Sequence, residues 1–469
     1  MKLYNTLTKQ VEEFVPLKKG QVGLYTCGPT VYDYAHIGHG RKYAMDDLLK
    51  RLLKYNGYQV IHVQNITDVG HLVSDADEGE DKLEKGAAKF GKSVWDTAEI
   101  FIKGFYETMD KLNITRPDII CRATDHIPEQ IDLIKRLVDK GFAYDTPEAV
   151  YFDVSLFPRY GELSGQKVED KLVAVREEVR SGNHKKHPAD FALWFKLVER
   201  FENHIMQWDS PWGRGFPGWH IECSAMSMKY LGETFDIHTG GEDHIPVHHT
   251  NEIAQSEAVT GKPLAKFWVH YAFLQVDGIK MSKSLGNMYR VEEVMEKGFS
   301  PLALRYLYLT SNYRSPLNFT WSSIAGAQTA YDKLVQFVKG ARSQELGASR
   351  KELSREKLKK IDGFRNKFLE RVNNDLNFPM GLAVVWEMIK SNIPDYDKLE
   401  LLLDWDSILG LDLANVSVVE IPEQIKQMST IRESLRREGK FVEADELRMQ
   451  IEQKGYLIKD TANGTVISN

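Results

Sequence analysis

The chain has 469 residues, 42% of them hydrophobic and 27% charged, and a net charge of −6. That length exceeds one ordinary core and predicts two to four domains, with a soluble rather than a disordered or membrane-embedded composition. No run of about eighteen apolar residues is present and the first residues lack an apolar leader block, so a cytoplasmic protein without membrane contact is expected.

A strand is predicted over 21–27, then a helix over about 38–56 that Gly57 stops, then a strand over 58–66. This βαβ unit predicts an α/β fold, a Rossmann-like parallel sheet that binds a nucleotide. Helical spacing recurs over 93–112 and 127–140, with Gly141 as the stop, and a short β-rich segment follows at 149–153. Strand-like runs at 235–238 and 267–270 would complete the sheet, leaving about 115–215 as an insertion between its halves. From Trp321 the pattern is almost wholly helical to the end, with separate helices over 342–371, 379–390 and 421–440. The expected domains are a catalytic α/β domain over 1–320, a helical domain over 321–415 and a small terminal module over 416–469. Between Arg342 and Arg371 ten Lys or Arg residues stand against five Asp or Glu. A local basic face of this kind can meet RNA phosphates even on a chain of negative net charge.

Two short motifs handle phosphate chemistry. His36-Ile37-Gly38-His39 opens the first predicted helix, where unpaired N–H groups offer an anion site, two imidazoles add donors, and Gly38 lets a base or phosphate approach the backbone. Lys280-Met281-Ser282-Lys283-Ser284, followed by Leu285-Gly286-Asn287, reads as a loop whose two ammonium groups can stabilise charge on leaving pyrophosphate. His238-Thr239-Gly240-Gly241 ends a predicted strand at the sheet's ligand edge, where Gly240 would let adenine and ribose come close.

The three cysteines, Cys27, Cys121 and Cys223, are too few and too scattered for a disulfide framework. Cys27 follows the first strand, and Cys223 lies near Trp219 and His220. His248 and Glu252, spaced i, i+4, share one face of a helix that begins after Pro246. Two thiolates, an imidazole and a carboxylate form a set that suits zinc. On geometry alone His249, at i, i+3 from Glu252, remains an alternative, whereas Pro246 separates His244 from His248. Cys121, flanked by Ile119-Ile120 and Arg122-Ala123, reads as a buried structural thiol.

The motifs at 36–39 and 280–284 resemble the signatures of class I aminoacyl-tRNA synthetases. Thr26-Cys27-Gly28-Pro29-Thr30-Val31-Tyr32-Asp33, Gly218-Trp219-His220-Ile221-Glu222-Cys223-Ser224-Ala225-Met226 and Val247-His248-His249-Thr250-Asn251-Glu252-Ile253-Ala254-Gln255 are similar to the cysteinyl-tRNA synthetase family. The resemblance covers nearly the whole chain. It implies ATP-dependent activation of L-cysteine to cysteinyl-adenylate, with magnesium accompanying ATP, and transfer to the 3′ end of tRNA(Cys). It further implies that His36, Gly38, His39 and Gly240 hold ATP while Lys280 and Lys283 stabilise the pyrophosphate. Cys27, Cys223, His248 and Glu252 would hold one zinc ion, and Gly28, Thr67 and Trp219 would line the cysteine pocket. The helical domain would bind tRNA. The last fifty residues, carried by Arg436-Arg437-Glu438, Ala444-Asp445-Glu446-Leu447-Arg448 and Lys459-Asp460-Thr461, would form the anticodon module of a monomeric enzyme.

Zinc answers a selectivity problem. Cysteine and serine differ by one atom, and pocket shape separates near-isosteres by only about 1–3 kcal/mol. A soft thiolate ligates zinc where a hydroxyl does so poorly, so no editing domain is expected. The chain departs from the commonest family pattern in a long acidic stretch over 69–82, in Phe378 where Thr is usual, and in Ile467 where Trp is frequent. A ligase joining cysteine to an amino sugar in mycothiol synthesis resembles the same catalytic half, but gives no reason for the helical tail. A catalytically silent RNA- or zinc-binding paralogue is opposed by the intact motif residues.

Overall fold

Five parallel strands build the sheet that the first βαβ unit predicts: β1 (Gln21–Thr26), β2 (Gln59–Ile66), β3 (Ile119–Arg122), β4 (Phe235–Gly241) and β5 (Ala265–Tyr271). Their spatial order is β5-β4-β1-β2-β3. The computed structural model describes residues 1–69, 72, 81–166, 184–282, 285–345, 353–417, 422–461 and 464–468. Helix α1 (Ile37–Tyr55) crosses from β1 to β2 and buries Leu48, Leu49, Leu52 and Leu53, the apolar stripe that 3.6-residue spacing creates. Helices α2 (Trp219–Leu231) and α3 (His248–Thr260) precede β4 and β5.

From β1 the chain builds outward through β2 and β3, then returns to the other flank of β1 for β4 and β5. β1 and β4 are therefore neighbours, in register at Thr26 and Thr239, where the strand order reverses. The crevice beyond their C-terminal ends is the ligand-binding position of an open α/β sheet.

β3 pairs with β2 from Val63–Ile119 to Ile66–Arg122, so the sheet claims the beginning of the stretch read as an insertion at about 115–215. Four residues are too few to show a strand period in sequence. The remainder carries a separate antiparallel sheet of Ala143–Asp145, Ala149–Phe152, Phe191–Lys196 and Gly215–Pro217. A third sheet places Leu274–Val276 between Ile279–Lys280 and Leu317–Phe319. Asp277 and Gly278, both at positive φ, close the two-residue hairpin that presents Lys280.

In the tail, the single helix expected over 342–371 is two: Trp321–Glu345, and Arg355–Val372, which Ser354 caps by accepting the N–H of Lys357 at 3.3 Å. Phe378–Ile389 and Asp395–Leu409 follow. Met1–Leu334 and Lys351–Ala414 form one compact unit, so residues on both sides of the expected 320/321 boundary share it. The fully buried Arg305 is one reason. It donates to Asp47 on α1 at 2.6 Å, to the Leu409 carbonyl at 2.8 Å, and to the Leu112 and Asn113 carbonyls at 3.0 Å.

The second unit comprises Val335–Arg350 and Asn415–Asn469. Its helices Glu423–Arg437 and Phe441–Gln453 are followed by an antiparallel hairpin of Leu457–Thr461 and Gly464–Ser468, the non-helical part of an otherwise helical end. Ile425, Ile451 and Ile458 form its small core. Arg432 binds Asp460 with two parallel bonds of 2.7 and 2.8 Å. Among the described residues no helix is long and apolar enough to cross a membrane.

Candidate active site

A cleft of about 770 Å³ opens beyond the C-terminal ends of β1 and β4. Its lining includes Cys27, Cys223, Gly28, Thr67, Trp219, His36 and Lys280, so both phosphate motifs and the segments carrying Cys27 and Cys223 reach one space. That volume suits a ligand of adenylate size.

His36 is the N-cap of α1. Its Nδ1 accepts the N–H groups of Gly38 at 3.1 Å and His39 at 3.3 Å, while the Nδ1 of His39 accepts the N–H of His36 at 3.3 Å. The two rings stack with centroids 3.7 Å apart. With both Nδ1 atoms accepting, each neutral ring carries its proton on Nε2, a donor suited to a phosphate oxygen. A Cβ on Gly38 would lie 2.4 Å from Met281 Cε and 2.9 Å from His36 Cε1, so glycine gives the Met281 side chain and the His36 ring room against the helix start. Lys280 ends the hairpin strand with its ammonium 4.9 Å from the ring centre of Phe273. Lys283 lies outside the described residues.

Cys27, immediately after β1, is fixed through its backbone: its N–H donates to the Thr239 carbonyl at 3.2 Å and its carbonyl accepts from Lys42 Nζ at 2.5 Å. Lys42 in turn pairs with Asp46 at 2.8 Å, and Asp46 accepts from the Thr239 hydroxyl at 2.6 Å. Next door, Gly28 donates its N–H to Asn65 Oδ1 at 2.7 Å, and a Cβ there would collide with the Asn65 carbonyl at 1.5 Å. Asn65 Nδ2 also donates to Thr67 Oγ1 at 3.2 Å, so one amide orients two residues of the expected cysteine pocket.

The ligand atoms of Cys27, Cys223, His248 and Glu252 all lie within 4.8 Å of one another, and all four residues are buried. This group could hold a metal. α3 begins at His248, directly after Pro246 and Val247, which places His248 and Glu252 on one face with Nε2 and Oε1 3.0 Å apart. Burial would push the Glu252 carboxyl up, but His238 and His248 outweigh it and hold it well below the usual carboxylate range. Burial likewise pulls His248 down, yet Glu252 and Cys223 raise it to about 10. Both thiols are pushed up by burial. A preformed imidazolium–carboxylate pair beside two thiols is a set of groups whose protons a divalent cation can replace.

A second group, Cys27, His238, His249 and Glu252, meets the same distance criterion. Cys223 and His248 line the cleft together with Cys27, whereas His238 and His249 stand behind them. His249 lies 3.2 Å from Cys27 Sγ and 2.7 Å from His270, which meets the Thr6 hydroxyl at 2.8 Å. His220 meets His248 through the Nδ1 atoms at 2.9 Å, which leaves the His248 Nε2 facing Glu252. Sequence reasoning quoted several of these histidines without assigning the cluster, and it missed Asn65, Lys42 and Asp46. His249 is 222 residues from Cys27 and Asp46 is 193 from Thr239, and the Gly28 and Cys27 partners of Asn65 and Lys42 sit on other elements, so no local periodicity marks them. Cys121 is buried, donates to the Gln64 carbonyl at 3.5 Å and belongs to neither group.

Gly240 is the penultimate residue of β4, where a Cβ would meet His249 at 2.4 Å. Trp219, the first residue of α2, is half-buried and lies against His248 rather than in the core.

A family profile described as tRNA synthetases class I (C) catalytic domain matches residues 13–329. Cysteine–tRNA ligase of Treponema denticola is 44% identical over 488 residues, covering 99% of both chains. Cysteine–tRNA ligase 1 of Burkholderia lata is 45% identical over 470 residues, covering 98% of this chain and 95% of its own. The chain belongs to the cysteine–tRNA ligases. Methionyl-tRNA synthetase of Mycobacterium tuberculosis shares the fold, with a TM-score of 0.62 at 15% identity over 84% of this chain and 93% of its own. LeuRS of Agrobacterium radiobacter does so with a TM-score of 0.62 at 12% identity over 87% and 86%. The match to cysteine–tRNA ligases runs through the tail, the part that an amino-sugar ligase does not account for.

Proposed function

We propose that the cleft forms cysteinyl-adenylate from L-cysteine and magnesium-ATP, with His36 and His39 on the α-phosphate, Gly38 and Gly240 beside the nucleotide, and Lys280 and Lys283 on the departing pyrophosphate. Cys27, Cys223, His248 and Glu252 would hold a zinc ion, and Gly28, Thr67 and Trp219 would surround the substrate side chain. Zinc bound there supplies a soft ligand position that favours a thiolate over a hydroxyl. The cysteine carboxylate attacks the α-phosphorus and pyrophosphate leaves. The terminal hydroxyl of tRNA(Cys) then attacks the adenylate carbonyl and AMP leaves. The protein's share is positioning and charge stabilisation. Residues 321–415 would meet tRNA, residues 416–469 its anticodon, and the enzyme would act as a cytoplasmic monomer.

The observation that carries this reading is the opening of three of the four metal donors and both signature motifs into one cleft. Charging of total tRNA with labelled cysteine, ATP and magnesium tests it. Label on tRNA that disappears when the metal is chelated and returns with zinc is the expected result. Cysteine-dependent ATP–pyrophosphate exchange without label on tRNA would sink the assignment of the acceptor.

A further inference from the structure

Arg41 follows the His36–His39 motif by two residues and is almost wholly buried. One terminal nitrogen donates to the carbonyls of Ala272 and Phe273, each at 2.7 Å, and the other to those of Asn312 at 3.1 Å and Ser315 at 2.6 Å. Ala272 and Phe273 immediately precede the strand Leu274–Val276, and Asn312–Ser315 lead into Leu317–Phe319. These two strands pair in parallel, with Leu274 opposite Leu317. Among the described residues, edge strand Ile279–Lys280 has Leu274–Val276 as its one strand neighbour, and Asn287 Nδ2 donates to the Lys280 carbonyl at 3.4 Å. One guanidinium on α1 thus grips the start of both strands that support Lys280.

Phe273 concentrates the connection. Its carbonyl accepts from Arg41, its N–H donates to Glu242 Oε1 at 2.9 Å, and its ring lies 4.9 Å from the Lys280 ammonium. Glu242 directly follows β4, so the hairpin base is held from α1 on one side and from the sheet edge on the other.

Packing does not require a charge at position 41. An apolar side chain of similar volume would fill the space without being desolvated. Burial pulls the guanidinium down to about 10, with Tyr308 and Glu242 opposing. A planar fork spans two backbone segments at fixed angles, which a lysine ammonium does not. We propose that Arg41 is a positioning residue for adenylate formation: through four backbone carbonyls it sets the spacing between the histidines at the start of α1 and the hairpin that presents Lys280. This rests on the reading of the cleft given above.

The test is a double-mutant cycle on the zinc-loaded full chain, read by cysteine-dependent ATP–pyrophosphate exchange. Arg41→Lys is expected to lower kcat by about 100-fold, the scale of an ångström-sized misplacement. It should leave zinc content intact and the KM for cysteine within about threefold, since the metal group lies elsewhere in the cleft. Combined with Lys280→Ala, the two losses should fall well short of multiplying, because Arg41 acts through Lys280. Losses that multiply, or zinc content and cysteine binding that fall in step with kcat, would overturn the proposal. Should Arg41→Lys fail to fold, Glu242→Ala decides. It removes the acceptor of the Phe273 N–H at a half-buried site, and about a tenfold fall in kcat with the same dependence on Lys280 is expected. An unchanged kcat in that variant overturns the proposal. A wild-type protein without cysteine-dependent exchange would overturn the reading of the cleft, and the role of Arg41 with it.

Discussion

The indole of Trp219 lies nearly parallel to the imidazole of His248, with ring centroids 4.1 Å apart and planes 23° apart. The residue proposed to cover the substrate side chain is therefore in direct contact with a residue proposed to ligate the metal. Trp219→Ala should raise the KM for cysteine by about tenfold, the loss of an aromatic contact of about 1–1.5 kcal/mol, and leave the KM for ATP unchanged. Trp219→Phe should recover most of the difference. Steady-state exchange kinetics at varied cysteine and ATP check both, and an unchanged cysteine KM in the alanine variant would remove Trp219 from the pocket.

Cys223→Ser replaces a buried sulfur donor with a hydroxyl in a group whose ligand atoms lie within 4.8 Å of one another. Metal analysis of the purified variant should show well under one zinc per chain, and chelation of the wild type should abolish charging until zinc is restored. A Cys121→Ser variant serves as control and should keep its zinc, since Cys121 belongs to neither metal-competent group. Full zinc content in Cys223→Ser would disprove the ligand assignment.

Lys280→Ala should lower kcat for adenylate formation by about 10²–10³-fold, the cost of one oriented donor at developing charge. Cysteine binding, measured directly by calorimetry on the zinc-loaded protein, should be unaltered. Equal losses in cysteine affinity and in turnover would contradict a role confined to the pyrophosphate.

Asp47 contributes to the pH dependence of stability. Burial alone would raise its pKa, but Arg305 and Arg51 outweigh it and hold the carboxyl below the ordinary value of 3.8. A carboxyl depressed in the folded state stabilises it fully above its unfolded pKa, and that contribution is lost as pH falls through the folded pKa. Asp47→Asn should therefore destabilise the protein by about 3–5 kcal/mol at neutral pH, because it leaves Arg305 buried without its counter-charge. The gap between variant and wild type in urea unfolding should narrow below about pH 4. A gap independent of pH between 3 and 7 would show that packing rather than charge makes the difference.

Sequence legibility followed the range of the forces involved. α1 was readable because its apolar spacing, the His36 start and the Gly57 stop all lie within 22 residues. The signature motifs were readable for the same reason. The helix Asp395–Leu409 went unassigned although Pro394 precedes it and Gly410 closes it at φ +67°, both local signals. The terminal hairpin was hidden by strands of only five residues within a helical context. The metal-competent residues could be named from sequence. The histidines behind them, the Asp46–Thr239 bond and the Arg41 clamp exist only because the later strands pack beside the first βαβ unit, with β4 adjacent to β1.

That adjacency has a consequence for how the protein comes into being. Cys27 belongs to the first half of the sheet, and Cys223, His248 and Glu252 to the second, so a cation bound by all four bridges a stretch of about 200 residues. Such a bridge forms only when both halves of the sheet are in place, so it favours the folded chain over the unfolded one as well as shaping the cleft. A protein deprived of that cation would lose this contribution to its stability together with any discrimination the cation confers between cysteine and serine.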